Sequence, residues 1–194
     1  VNRVSYQTKE YKNPILEEEF YKNILDTEAG YLNSLYDSLN VKNITNIAQN
    51  IISSRYVIIF GHDWSYNMGS FLRERLRSLN LSVILINPSD LTNTDYIINS
   101  IQKNDYPIMF SFPEYFCATE EVGESLNKKI DNFLLITDKE KSPAAKYTNN
   151  KIICKTHSDI FNNTWIAPLS LVNIISNMIA VILKTKKEKI NGYW

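Results

Sequence analysis

Cysteine is scarce: Cys117 and Cys154 are the only two, too few for a disulfide framework. Both adjoin apolar segments, so both are expected as buried free thiols, which suits a reducing compartment. Histidine is equally sparse, at His62 and His157. No Cys/His spacing suggests zinc, and no metal or cofactor is expected. Neither sign of charge is in excess, with 21 Lys+Arg against 21 Asp+Glu. The chain therefore has no global electrostatic reason to bind DNA or an anionic membrane by itself. No apolar run approaches the roughly 20 residues that span a bilayer. The longest candidate, 165–183, is interrupted by Pro168, Ser170, Asn173, Ser176 and Asn177. No secretory leader pattern opens the sequence, so a cytoplasmic location is expected. Two phosphate-binding signatures are missing as well. There is no G-x-G-x-x-G dinucleotide fingerprint and no G-x-x-x-x-G-K-[ST] loop.

What the sequence does contain is enough apolar material for a core. Of 194 residues, 44% are hydrophobic, which fits a single domain. Residues 1–14 are polar, end in Asn13-Pro14 and read as a flexible arm; 15–194 read as the domain. From Ile15 to Leu39, apolar residues about four apart predict one long amphipathic helix. A second helix follows, with Ile44, Ile47, Ala48, Ile51 and Ile52 on one face and Asn43 or Thr45 as candidate caps. Five short apolar runs then predict strands at 56–60, 82–86, 107–111, 132–137 and 151–154. Between them lie helical patterns at 65–79, 94–102 and 113–129, and a short turn from Ser142. A last helix runs from about Trp165 to Lys189. Such alternation predicts a three-layer αβα sandwich around a five-stranded parallel, flavodoxin-like sheet. Ligands on such sheets bind at the carboxyl ends of the strands. That directs attention to 61–66, 87–93, 111–116 and 137–142.

The first of these loops, Phe60-Gly61-His62-Asp63-Trp64-Ser65, joins a strand to a helix. Backbone N–H groups and the Ser65 hydroxyl could meet an anion there. Ser65 reads equally as a helix N-cap. His62 and Asp63 could be an acid–base pair, or simply a polar turn. Lys184, Lys186, Lys187 and Lys189 complement the carbonyl end of the last helix. Arg73, Arg75 and Arg77 splay around their helix and read as a solvated face.

Taken in order, four segments resemble the sugar isomerase (SIS) domain, and more narrowly the effector half of RpiR-type phosphosugar-responsive transcription regulators. They are "EEEFYKNILDTEAGYLNSLYDSLN", "YVIIFGHDWSYNMGSFLRERLRSLN", "FLLITDKEKSPAAKYTN" and "APLSLVNIISNMIAVIL", which together span about residues 17–184. In the third, Ile136, Thr137, Ser142, Pro143 and Ala145 match the family's strand–turn pattern. The resemblance implies a phosphosugar site built from two loops. The first has the form G-x-G-x-S; here Gly61 and Ser65 match, but Asp63 replaces the second glycine. The second is Ser-x-Ser-Gly-x-Thr; here Ser111 survives, and Pro113, Glu114 and Phe116 stand in for the rest. On this reading the ligand-binding residues would be Gly61, His62, Asp63, Ser65, Ser111, Glu114, Thr137 and Ser142.

The substitutions weaken a phosphate grip. Proline removes an N–H donor. Two carboxylates, Asp63 and Glu114, would face a dianion; like charges about 4 Å apart cost roughly 4 kcal/mol at intermediate dielectric. Trp64, Phe112, Tyr115 and Phe116 are expected to fill the emptied cleft, or else to stack on an unphosphorylated ring.

The leading expectation is therefore a non-catalytic effector-binding and dimerising domain, sensing a sugar phosphate or related carbohydrate metabolite. A homodimer is expected because the first and last helices carry more apolar surface than one sheet face can cover. DNA would be read by a helix-turn-helix domain preceding Val1. No membrane partner is expected. Two alternatives stand beside it: a phosphosugar isomerase of the same fold, and a domain that only dimerises, its pocket vestigial.

Overall fold

A computed structural model describes residues 18–130, 133–158, 161 and 163–190. The arm at 1–14, the start of the first helix at 15–17 and the first residue of the fourth strand, Asn132, lie outside the described residues.

Five strands, β1 (Val57–Phe60), β2 (Val83–Ile86), β3 (Tyr106–Ser111), β4 (Leu134–Thr137) and β5 (Lys151–Ile153), form one sheet in the order β2-β1-β3-β4-β5. Every pairing is parallel. This is the flavodoxin-like order, and the expected three-layer architecture is found. The alternation of β1 explains the layers. Val57 and Ile59 point to one face, with Ile108, Phe110, Leu134 and Ile136. Ile58 and Phe60 point to the other, with Met109, Phe133 and Leu135. Helices α1 (Glu18–Ser38), α2 (Val41–Ser53), α3 (Trp64–Ser78) and α6 (Ile166–Ile190) serve the first face. Helices α4 (Leu91–Ser100) and α5 (Cys117–Lys129), with the 3-10 turn Pro143–Tyr147, cover the second.

Helix starts moved relative to the sequence reading, each for a local reason. The cap of α2 is Asn40, whose Oδ1 accepts from the Lys42 N–H at 2.8 Å, rather than Asn43 or Thr45. Helix α4 begins at Leu91 rather than Thr94, because Asp90 accepts from the Asn93 N–H at 3.1 Å. Helix α5 begins at Cys117, four residues after Pro113, so the loop after β3 is longer than expected. That placement also exposes Cys117, against the expected buried thiol; only Cys154 is buried, and desolvation pushes its thiol up to about 12.

Helix α6 corrects another expectation. Its stretch Ile166–Lys187 has a mean hydropathy of 2.1 and is long and apolar enough to cross a membrane, with 39% of it buried. The polar residues within it do not break the helix. Pro168 sits in the first turn, where its missing N–H would have had no helical partner. Ser176 Oγ donates to the Val172 carbonyl at 2.8 Å. The buried face of α6, including Leu171, Val172, Ile175 and Ile179, belongs to the main core shared with α2 and α3.

At the opposite edge from the candidate loops, Arg55 donates twice to Asp105, at 2.9 and 2.7 Å, joining the entries to β1 and β3. Burial works against the Asp105 charge. The hydrogen bonds from Arg55 and the Gln102 N–H, with the Arg55 charge, outweigh it and hold the carboxyl below its ordinary value.

Candidate functional site

Strand β1 is flanked by β2 on one side and β3 on the other, so the chain reverses direction across the sheet between β1 and β3. The loops leaving these strands open a crevice at their carboxyl ends. Gly61, His62, Asp63 and Ser65 lie on the β1–α3 turn. Ser111 ends β3 and Glu114 follows it. Thr137 ends β4, directly paired with Ser111 in the sheet register. Ser142 precedes the 3-10 turn. The sheet thus gathers the strand-end residues at one edge.

Gly61 is required sterically. A Cβ there would lie 2.6 Å from the Ser65 carbonyl oxygen and 2.9 Å from the Tyr66 nitrogen, both backbone atoms. Asp63 has φ 53° and ψ −121°. With the Ser65 N–H bonded to the His62 carbonyl at 3.0 Å, residues 62–65 form a type II′ turn with Asp63 at its glycine-favouring position. The aspartate therefore occupies a glycine's backbone conformation, which fits the glycine of the G-x-G-x-S pattern. Ser65 is not the N-cap; it lies buried in the first turn of α3.

Two further donors at this helix start are engaged within the turn. The Tyr66 and Asn67 N–H groups both reach the Asp63 carbonyl, at 3.1 and 3.3 Å. The mouth of the crevice is also bridged. The His62 ring stacks on Phe116, with centroids 3.9 Å apart and planes 19° apart. Its Nδ1 lies 3.0 Å from Asn87 Oδ1. The Tyr115 hydroxyl donates to Asp138, with Lys139 Nζ 5.2 Å above the Tyr115 ring. Burial and the adjacent Asp138 carboxylate push the Tyr115 hydroxyl well above its ordinary pKa, so it stays a protonated donor. Phe112 is buried. Trp64, by contrast, is 57% exposed and lies over Trp165 at 6.1 Å rather than filling the cleft.

His62 and Asp63 do not form a pair: His62 turns to Asn87 and Phe116, while Asp63 is exposed. Glu114 is exposed too. Charges in water-like surroundings repel by only about 1 kcal/mol at 4 Å, so the carboxylates oppose a dianion less than the sequence suggested. Ser142 Oγ is buried with no hydrogen-bond partner. Sequence reasoning nominated none of Asn87, Asp138, Asn163 and Trp165. Asn163 donates to the Pro113 carbonyl and accepts from Thr156 Oγ1 at 2.6 Å, clamping the loop after β3 from fifty residues away. Trp165 packs edge-on to Phe112 at 5.5 Å. Only Asn87, in an Asn-Pro step closing a strand, carried a local signal. Among the described residues, no group of three or more His, Cys, Asp or Glu is placed to hold a metal ion.

A parallel 2-1-3-4-5 sheet with loops opening after β1 and β3 is compatible with the sugar isomerase domain fold, and likeness to solved structures shows that the chain has that fold. Solved structures with it include the sugar isomerase domain of an RpiR transcription factor from Sphaerobacter thermophilus. That domain is 18% identical, with a TM-score of 0.77 over 84% of this chain and 91% of the other. The Vibrio vulnificus NanR protein, complexed with ManNAc-6P, is 14% identical, with a TM-score of 0.68 over 96% of this chain and 74% of its own. A Methanococcus jannaschii protein, for which a 3-hexulose-6-phosphate isomerase function has been inferred, is 17% identical, with a TM-score of 0.62 over 86% and 91%. No family's sequence profile matches the chain, and no curated protein sequence matches it.

Proposed function

We infer that this domain is the effector-binding and dimerising part of an RpiR-type transcription regulator, responding to a carbohydrate-derived metabolite. The observation that carries the reading is the state of the cradle on this fold. Its glycine-type turn is retained, yet the Ser65, Tyr66 and Asn67 N–H groups bond within the turn and the His62–Phe116 stack bridges the two loops. A sensor needs only a pocket whose occupancy changes shape or association. An isomerase needs, in addition, an acid–base group poised over an anchored sugar phosphate, and the cradle offers neither. Regulators and isomerases both occur among the solved structures of this fold, so the choice rests on the cradle. On this reading the protein is a cytoplasmic homodimer, and DNA is read by a helix-turn-helix domain joined ahead of α1.

A second reading, a domain that only dimerises, is favoured by the same bridged cleft. A thermal-shift screen over free and phosphorylated sugars, amino sugars and sugar acids separates the two. A saturable rise in melting temperature with one class supports a sensor. No rise with any of them leaves dimerisation alone, and turnover of a ketose or aldose phosphate at enzymatic rates overturns both.

A further inference from the structure

Between β5 and α6, two short stretches of chain pair with each other. His157 and Asn163 face one another in an antiparallel bridge. The Thr164 N–H donates to the Thr156 carbonyl at 2.6 Å, and the Thr156 hydroxyl donates to Asn163 Oδ1 at 2.6 Å. Thr156 is buried, and hydrogen bonds shielded from water are the stronger for it. These four residues form a small clasp.

Two distant parts of the fold hold on to this clasp. One is the loop after β3. Asn163 donates from its amide to the Pro113 carbonyl, and Trp165, just beyond, packs edge-on to the buried Phe112 at 5.5 Å. The other is α1. Glu28 accepts from Thr164 Oγ1 at 2.6 Å, and the Tyr31 hydroxyl donates to the His157 carbonyl at 2.9 Å. Asn163 and Thr164 share one planar peptide unit, so neither shifts far without the other. The loop and the helix therefore pull on adjacent residues. The same loop is also fastened at the crevice, where Phe116 stacks on His62 and Tyr115 donates to Asp138. Residues 112–116 thus span the distance from the crevice to the clasp.

We propose that the clasp couples this loop to α1. Lifting residues 112–116 withdraws the Pro113 carbonyl from Asn163 and Phe112 from Trp165, and the clasp then holds α1 less firmly. By linkage the effect is reciprocal: releasing α1 loosens the loop to the same degree. The coupling is a property of the fold alone. Its use as a signal rests on the sensor reading above, in which an effector entering the crevice parts Phe116 from His62 and the change reaches α1 through Asn163 and Thr164.

The test is hydrogen-exchange mass spectrometry on the full chain without ligand, following peptides from α1 and from residues 111–117, with β1 as the reference for an intact sheet. Phe116→Ala breaks the crevice contact and leaves every clasp residue in place; His62→Ala breaks the same contact from the other loop. Each is expected to speed exchange in α1 by about three- to tenfold. Glu28→Ala, at the other end, is expected to speed exchange in 111–117 by a similar factor, which a purely local role for Glu28 would not do. With Asn163→Ala already present, Phe116→Ala should change α1 no further. Unchanged α1 exchange in both crevice variants while β1 stays protected overturns the proposal. So does an unchanged 111–117 segment in Glu28→Ala, or a Phe116→Ala effect on α1 that persists in full beside Asn163→Ala. Should one crevice variant lose β1 protection, the other decides. Failure here leaves the sensor reading standing, since no ligand is used, and a ligand screen without hits leaves the coupling standing.

Discussion

Replacing Asp63 by glycine should stabilise this protein, although the change removes a side chain and loosens the unfolded chain. Asp63 has φ 53° and ψ −121°, at the first central position of a type II′ turn. An L-residue there carries strain of about 1–3 kcal/mol, which glycine does not. Two terms oppose the gain. Glycine's extra freedom in the unfolded state costs about 0.5–1 kcal/mol. Loss of a negative charge at the N-terminus of α3 costs about 0.3–1 kcal/mol, and Asp63 makes no side-chain cap hydrogen bond to add to it. With central values the balance is about 0.6 kcal/mol in favour of glycine, or about 1–2 °C in melting temperature for a domain of this size. Asp63→Ala is the control. It keeps the strain and loses the charge, so it should fall below wild type, placing glycine above alanine by roughly 1–2 kcal/mol. Urea titrations of the three proteins at one pH measure this directly. An alanine variant as stable as the glycine variant would refute the strained-turn account.

Gly61→Ala should act in the opposite direction, destabilising by about 1–3 kcal/mol, because the new methyl would meet the Ser65 and Tyr66 backbone rather than a movable side chain; an unchanged urea midpoint would contradict the geometry. Asp105→Asn should lower stability most near neutral pH. The Asp105 pKa is depressed by folding, so its contribution is full above the unfolded carboxyl value and fades as pH falls through the folded one. The wild-type and variant midpoints should converge in acid, and a gap independent of pH would refute this. If the proposed dimer uses the exposed side of α6, where Val181 is 61% accessible, Val181→Glu should give a monomer in light scattering; a dimeric mass for both wild type and variant would exclude that face from the interface.

The sheet was legible because each strand is a short, isolated apolar run. β1, with all four residues buried, reads the same from either face. Caps were less legible because competing candidates stand close together in sequence: Asn40 against Asn43, Asp90 against Thr94. The cradle was half legible. Gly61 and the glycine-like position 63 follow from local turn chemistry, and the structure carries both. The His62–Phe116 stack and the Asn163 clamp join residues about fifty positions apart, and no local pattern encodes such partners. Cys117 was misplaced for a local reason: it opens α5 on the exposed side, while the next two residues, Ala118 and Thr119, turn inward.

Helix α1 buries a single residue, Leu35, near its C-terminal end, and over most of its length it faces water. Its first half gains little from the hydrophobic effect, and the polar ties at Tyr31 and Glu28, near its middle, reach partners 126 and 136 residues away in sequence. Such a helix belongs to the low end of the stability hierarchy. It can detach and re-dock while the sheet stays intact, so its backbone amides should exchange through local opening long before those of β1 or β3. Helix α1 is thus held to the body less firmly than the strands are held to one another, and a change in the free energy of the Glu28 and Tyr31 ties shifts the balance between its docked and released forms.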